Sequence, residues 1–314
     1  MSLFGLFLGM LVLVASSEIG GEGRCQDVSR KEAAVSDRRP SPLGVHPARQ
    51  APPSPSPALS PRQWQPLLVK VPEITVYFWV IKLLTTALGE STSDFLVYQI
   101  NPYVAVGLGC LGLVATVILQ LWLRRYVAWV YWLAALMVAV FGTMAADVLH
   151  VVLGVSYVVS TVLFSAALAV IFVAWYVSEH TLSIHSVYRG RRELFYWAAV
   201  IATFALGTAA GDLTAATLNL GYFPSILLFA VLFALPALGY WLLRFNAIAA
   251  FWWAYIVTRP LGASIADWLG KPYLGGLGFG DDKVSLVLLI LLVLFVAYVS
   301  VTRRDVQDRP AETR

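Results

Sequence analysis

The chain has 314 residues, 59% of them hydrophobic and only 13% charged, with 22 Lys and Arg against 18 Asp and Glu. Soluble domains carry about 25% charge, so this composition, with a mean hydropathy of +0.74, excludes a soluble globular domain. Two cysteines, Cys25 and Cys110, supply neither a disulfide framework nor a cysteine-rich metal site, and the Arg residues of the apolar region, Arg259 apart, sit at the ends of apolar runs, a topological pattern rather than a nucleic-acid footprint.

Residues 3–15 form an apolar run of signal-peptide length without a basic leader or a clear small-x-small cleavage site. The run is also short for a span, which needs about 20 residues. Residues 40–66 then hold 9 of the 16 prolines, a composition that forms no regular element and reads as a disordered linker. The sequence thus divides into a Pro-rich tail over 1–70, a membrane domain over 71–305 and a polar C-terminal tail over 306–314.

From Ile74 onward, eight apolar runs of spanning length follow one another, at about 74–98, 102–123, 126–154, 157–177, 194–220, 223–243, 247–269 and 284–302. One pattern recurs four times: a Trp, a Gly ten residues later, and an Asp five residues after that. The copies are Trp79/Gly89/Asp94, Trp132/Gly142/Asp147, Trp197/Gly207/Asp212 and Trp252/Gly262/Asp267, and these four are the only Asp residues between 71 and 280. Each copy is followed by a second apolar run ending in an aromatic and then Arg, as in Trp122 before Arg124 and Tyr298 before Arg303. The predicted fold is an all-α integral membrane protein of eight transmembrane helices in four parallel two-helix repeats, at about 74–125, 126–192, 193–246 and 247–304. Arg124, Arg125, Arg189, Arg191, Arg192, Arg244, Arg303 and Arg304 all follow even-numbered helices, which places both ends of the repeat region in the cytoplasm and runs the Asp-bearing helices outward. Lys271 and Lys283, in the last outer loop, are exceptions to that rule.

With these matches the sequence resembles a family of bacterial multi-pass membrane proteins built from four tandem two-helix repeats of unknown function, each with a marker Trp. The resemblance covers residues 74 to about 302 and implies a bacterial cytoplasmic-membrane location. It implies no substrate and no catalytic residue.

The chemistry therefore has to be read from the repeated residues. On a helix, the 15-residue step from Trp to Asp returns to within about 60° of the same face and rises about 22 Å. The four Trp are expected as interfacial anchors in the headgroup layer, and the four Gly as close-packing points between helices. A carboxylate inside a span costs roughly 2.5–3.5 kcal/mol, so it faces the bundle interior or water and marks a functional path. Four residues before each Asp stand Glu90, Thr143, Thr208 and Ala263, which adds a second oxygen in three copies; His150, three residues after Asp147, is a further candidate ligand. Lys82 and Arg259 are charges within spans and are expected as counter-ions to the acidic set. Pro260, next to Arg259, is expected to bend or break its helix. Glu179, His180 and His185 read as a solvated connector, and the glycine-rich run 275–280 as a flexible outer loop without the Lys-Ser/Thr of a phosphate cradle.

Two function classes remain. The first is a secondary transporter whose Asp94, Asp147, Asp212 and Asp267, with Glu90, Thr143 and Thr208, line a path for a small hard cation such as Mn²⁺ or Mg²⁺, or for protons, since oxygen ligands suit such ions. The alternative is a non-transporting scaffold, sensor or partner subunit in which the repeated Asp residues are structural. Neither class needs an enzyme, a cofactor or a nucleic-acid partner; the lipid bilayer is the one partner expected.

Overall fold

A computed structural model describes residues 69–306, apart from 189, 244 and 245. The tail over 1–68, the end beyond 306, and the basic residues at 189 and 244 lie outside the described residues. Those described are all-helical, with eight long α-helices: α1 Val76–Gln99, α2 Pro102–Trp122, α3 Ala128–Asp147, α4 Tyr157–Glu179, α5 Arg191–Asp212, α6 Tyr222–Leu243, α7 Ala247–Gly270 and α8 Asp281–Thr302. Local chemistry sets several of the ends. Asn101 caps α2 by accepting from the Tyr103 amide, with Pro102 in the first turn, and Asn246 caps α7 by accepting from the Ile248 amide at 2.8 Å. His180 and Arg303 end α4 and α8 in the left-handed conformation.

Short connections make consecutive helices antiparallel, so the four odd helices share one direction. These odd helices form a closed inner ring in which α1 packs on α3, α3 on α5, α5 on α7, and α7 back on α1. Each even helix lies outside, against the odd helix of the following repeat: α2 on α3, α4 on α5, α6 on α7, and α8 across to α1. The packing unit is therefore displaced by one helix from the sequence repeat, and the last helix closes the circle.

The repeat glycines register this closure. A Cβ on Gly89 would strike Ala139, one on Gly142 Phe204, one on Gly207 Arg259, and one on Gly262 Thr86. In every case the obstacle stands three residues before the Gly of the next repeat, so the four contacts form one level of the ring where backbones approach closely.

Six of the eight helices are long and apolar enough to cross a membrane; α1 and α7 are not among them. These two carry Lys82, Glu90, Asp94, Arg259 and Asp267, and they lie in the inner ring with half of α1 and two-thirds of α7 buried. Apolar side chains such as Leu108, Leu111, Val159, Val170, Leu286 and Val293 instead cover the outside of the even helices, as a lipid-facing surface requires.

Three sequence expectations change. The repeat tryptophans are not interfacial: Trp132, Trp197 and Trp252 are 2%, 3% and 0% exposed, and Trp79 packs on Phe78, Phe233 and Phe251. Because the odd helices line the ring, their indoles meet one another's neighbours, Tyr131, Tyr196, Phe78 and Phe172, instead of headgroups. Helix α7 also runs unbroken through Pro260. Finally, the fold begins before residue 71: Val69 and Lys70 are buried, and the Lys70 ammonium pairs with Glu193 and donates to the Gln120 carbonyl at 2.8 Å.

Candidate functional site

The charged residues of the inner ring fall into three levels. The first sits at the repeat glycines and is organised by Arg259, which is fully buried. Its guanidinium donates to Glu90 Oε2 at 2.8 Å, to Thr208 Oγ1 at 2.8 Å, to the Thr86 carbonyl at 3.1 Å and to Thr143 Oγ1. Thr143 Oγ1 in turn donates to Glu90 Oε2 at 2.9 Å. One side chain from α7 thus ties together α1, α3 and α5. A buried ion pair is tolerable only when its remaining donors and acceptors are satisfied, and Thr143 and Thr208 supply that satisfaction.

One helical turn further along lies the second level. Asp94 from α1 and Asp267 from α7 both receive the Lys271 ammonium, each at 2.9 Å. Glu90, Asp94 and Asp267 place one carboxylate oxygen apiece within 4.8 Å of one another, the arrangement a cation would need. Lys271 is the residue just past the end of α7, its amide held by the Asp267 carbonyl at 2.9 Å. The glycine-rich segment after it folds back on the helix end: Leu277, Phe279 and Gly280 donate to the carbonyls of Trp268, Leu269 and Gly270. Burial alone would push the Lys271 ammonium down, but the Asp267 and Asp94 carboxylates outweigh it and hold the group well above the ordinary lysine range.

The third level lies toward the tryptophans. The Lys82 ammonium stands 3.9 Å from the centre of the Phe204 ring and 4.0 Å from that of Tyr255, with no hydrogen-bond acceptor among the described residues. Below it the Tyr131 and Tyr196 hydroxyls are hydrogen-bonded. At the end of the ring where the odd helices begin stand the Lys70–Glu193 pair and Asp305, which accepts from the Tyr126 hydroxyl at 2.7 Å.

A family model described as Repeat of Unknown Function (DUF347) matches residues 77–126, 130–181, 195–245 and 250–305. The chain belongs to this family. Each DUF347 repeat corresponds to one odd helix and the even helix after it, in close agreement with the repeat boundaries read from the Trp, Gly and Asp spacing. Neither a curated protein nor a solved structure matches the chain at a significant level.

Within the DUF347 array, the Trp, Gly and Asp positions are equivalent in sequence but not in surroundings. The Asp residues of the first and fourth repeats, Asp94 and Asp267, join the carboxylate group with Glu90. Those of the second and third, Asp147 and Asp212, are half-buried and each begins a π-helical turn, Val148–Val152 and Leu213–Thr217. Such wide turns recur at functional positions, and here they re-aim the chain as it leaves the inner ring. His150 does not join Asp147: its Nδ1 lies 2.9 Å from the Val155 carbonyl and its ring stacks on Tyr157. Of the two expected counter-ions, Arg259 neutralises Glu90, whereas Lys82 rests on ring faces and, among the described residues, pairs with no carboxylate. Glu179, in the connector, pairs with Arg192 at 2.7 Å.

Sequence reasoning missed Lys271 and Lys70. A usable signal for Lys271 existed, since it lies four residues after Asp267, the spacing of a helical ion pair. Lys70 carried none, because its partner Glu193 is more than 120 residues away.

Proposed function

We propose that this DUF347 protein is a secondary transporter, not an enzyme, that moves a small hard cation across the bacterial cytoplasmic membrane along the axis of its inner ring. The observation that carries this reading is the convergence of Glu90, Asp94 and Asp267 within the ring, oxygen to oxygen inside 4.8 Å. Carboxylates at such depth are expensive unless they serve a path or a partner, and an all-oxygen set favours Mn²⁺, Mg²⁺ or protons over soft ions. Cation-dependent flux into proteoliposomes holding the purified full chain is the test. Absence of flux for every hard divalent cation and for protons would overturn the reading.

A structural reading has one specific observation in its favour. The Arg259 guanidinium bonds to three other helices, as a residue fixing a scaffold would. It accounts for the glycine level but leaves the carboxylates of the next level without a purpose.

The proposed orientation has the odd helices running outward, with both ends of the repeat region cytoplasmic, as the Arg distribution favours. A cysteine replacing Asn219 in whole cells is expected to react with an impermeant thiol reagent, and one replacing Gly190 to stay unlabelled until the cells are opened. The reverse pattern would invert the orientation.

A further inference from the structure

The Lys271 ammonium lies between two carboxylates of the inner ring. It sits 2.9 Å from Asp94 Oδ2 and 2.9 Å from Asp267 Oδ1, and both carboxylates belong to the group that also includes Glu90. Two further buried oxygens stand on the same two helices. The hydroxyls of Ser93 and Ser264 are buried, at 0% and 2% exposure, and have no hydrogen-bond partner among the described residues. Ser93 lies three residues after Glu90 and Ser264 three before Asp267, so helical register puts both on the faces that carry those carboxylates.

We propose that Asp94 and Asp267 form a divalent-cation subsite in which Lys271 is a tethered competitor, so that this lysine sets the preference for divalent over monovalent ions. The inference rests on the transporter reading and deepens it. The charges decide the preference. Glu90 is balanced by Arg259, which leaves two carboxylates facing one ammonium. A monovalent ion displacing Lys271 would restore only the same balance, and it would compete against a group held at high local concentration by its own backbone. A divalent ion neutralises both carboxylates, and hard divalent cations draw in further oxygens where one ammonium does not, because they take six or more. The ammonium can withdraw without unfolding anything, since Lys271 follows the last residue of α7 and its side chain is partly exposed.

The test is Mn²⁺ binding to the detergent-solubilised full chain, read from the free-ion electron spin resonance signal, with and without Na⁺. Wild type is expected to bind Mn²⁺ with an affinity that Na⁺ barely alters. Lys271→Met is expected to bind Mn²⁺ about tenfold more tightly, because one opposing charge is gone, and to become sensitive to Na⁺. Lys271→Arg keeps a tethered cation and should stay near wild type. Unchanged or weaker Mn²⁺ binding by folded Lys271→Met, beside a wild type that binds, overturns the role of Lys271 and leaves the transporter reading standing. Ready displacement of Mn²⁺ from wild type by Na⁺ overturns it without any variant. No Mn²⁺ binding by wild type or variants overturns both.

Discussion

Asp94→Asn and Asp267→Asn are expected to accumulate in the membrane at near-normal levels and to lose cation flux. Asparagine keeps the shape and hydrogen-bonding capacity of aspartate while removing the charge that a cation requires. Each charged contact removed is worth about 1.5–3 kcal/mol, so each single variant should lose roughly ten- to a hundredfold in transport, and the double variant more. The structure also ranks the four repeats. Asp147 and Asp212 are half-buried and outside the group formed by Glu90, Asp94 and Asp267, so their Asn variants should lose less. Flux through reconstituted vesicles at matched protein content measures all four. Full transport by the Asp94/Asp267 double variant would eliminate the cation path, and wholesale loss of folded protein would favour the scaffold reading.

The largest stability effect is expected at Arg259. Replacing it by methionine leaves the Glu90 carboxylate, 2% exposed, with no cation and strips donors from Thr143, Thr208 and the Thr86 carbonyl. Breaking one side of a buried pair costs about 3–5 kcal/mol, far more than the pair itself contributes. Arg259→Met should therefore unfold at a markedly lower temperature in detergent, while Arg259→Met combined with Glu90→Gln should recover much of the loss. Thermal unfolding of the two single variants and the double completes a cycle. A double variant no more stable than Arg259→Met would show that Glu90 is not what the guanidinium holds.

The four repeats, their boundaries and the shared direction of the odd helices were legible because each is a local property: apolar runs of spanning length, an invariant spacing, and two runs in every repeat. The glycine level was legible in kind, since small residues at a fixed register imply close approach, but which element approaches was not. Pairings across the ring escaped for the same reason. Glu90 and Arg259 are separated by 169 positions, and nothing local in either stretch announces that α7 closes on α1. The tryptophans misled because an aromatic near a helix end signals an interface only when that helix faces lipid. Here the odd helices face one another, and Trp252 donates its indole N–H to the Leu182 carbonyl at 3.0 Å. Lys271 was read as a charge in a loop, where it violated a topological trend; its position one residue beyond α7 makes it part of the site.

The displaced packing of the even helices bears on the order in which the chain is made. Helix α1 emerges first, carries Lys82, Glu90 and Asp94, and falls short of the apolarity that marks the other spans. Its countercharges, Arg259 and Lys271, and its outer cover, α8, all belong to the last repeat. Until synthesis is nearly finished, α1 has α3 as its main neighbour, with Thr143 donating to Glu90 but neither Arg259 nor Lys271 yet in place. A chain stopped before α7 would therefore lack both countercharges, leaving the Glu90 and Asp94 carboxylates uncompensated.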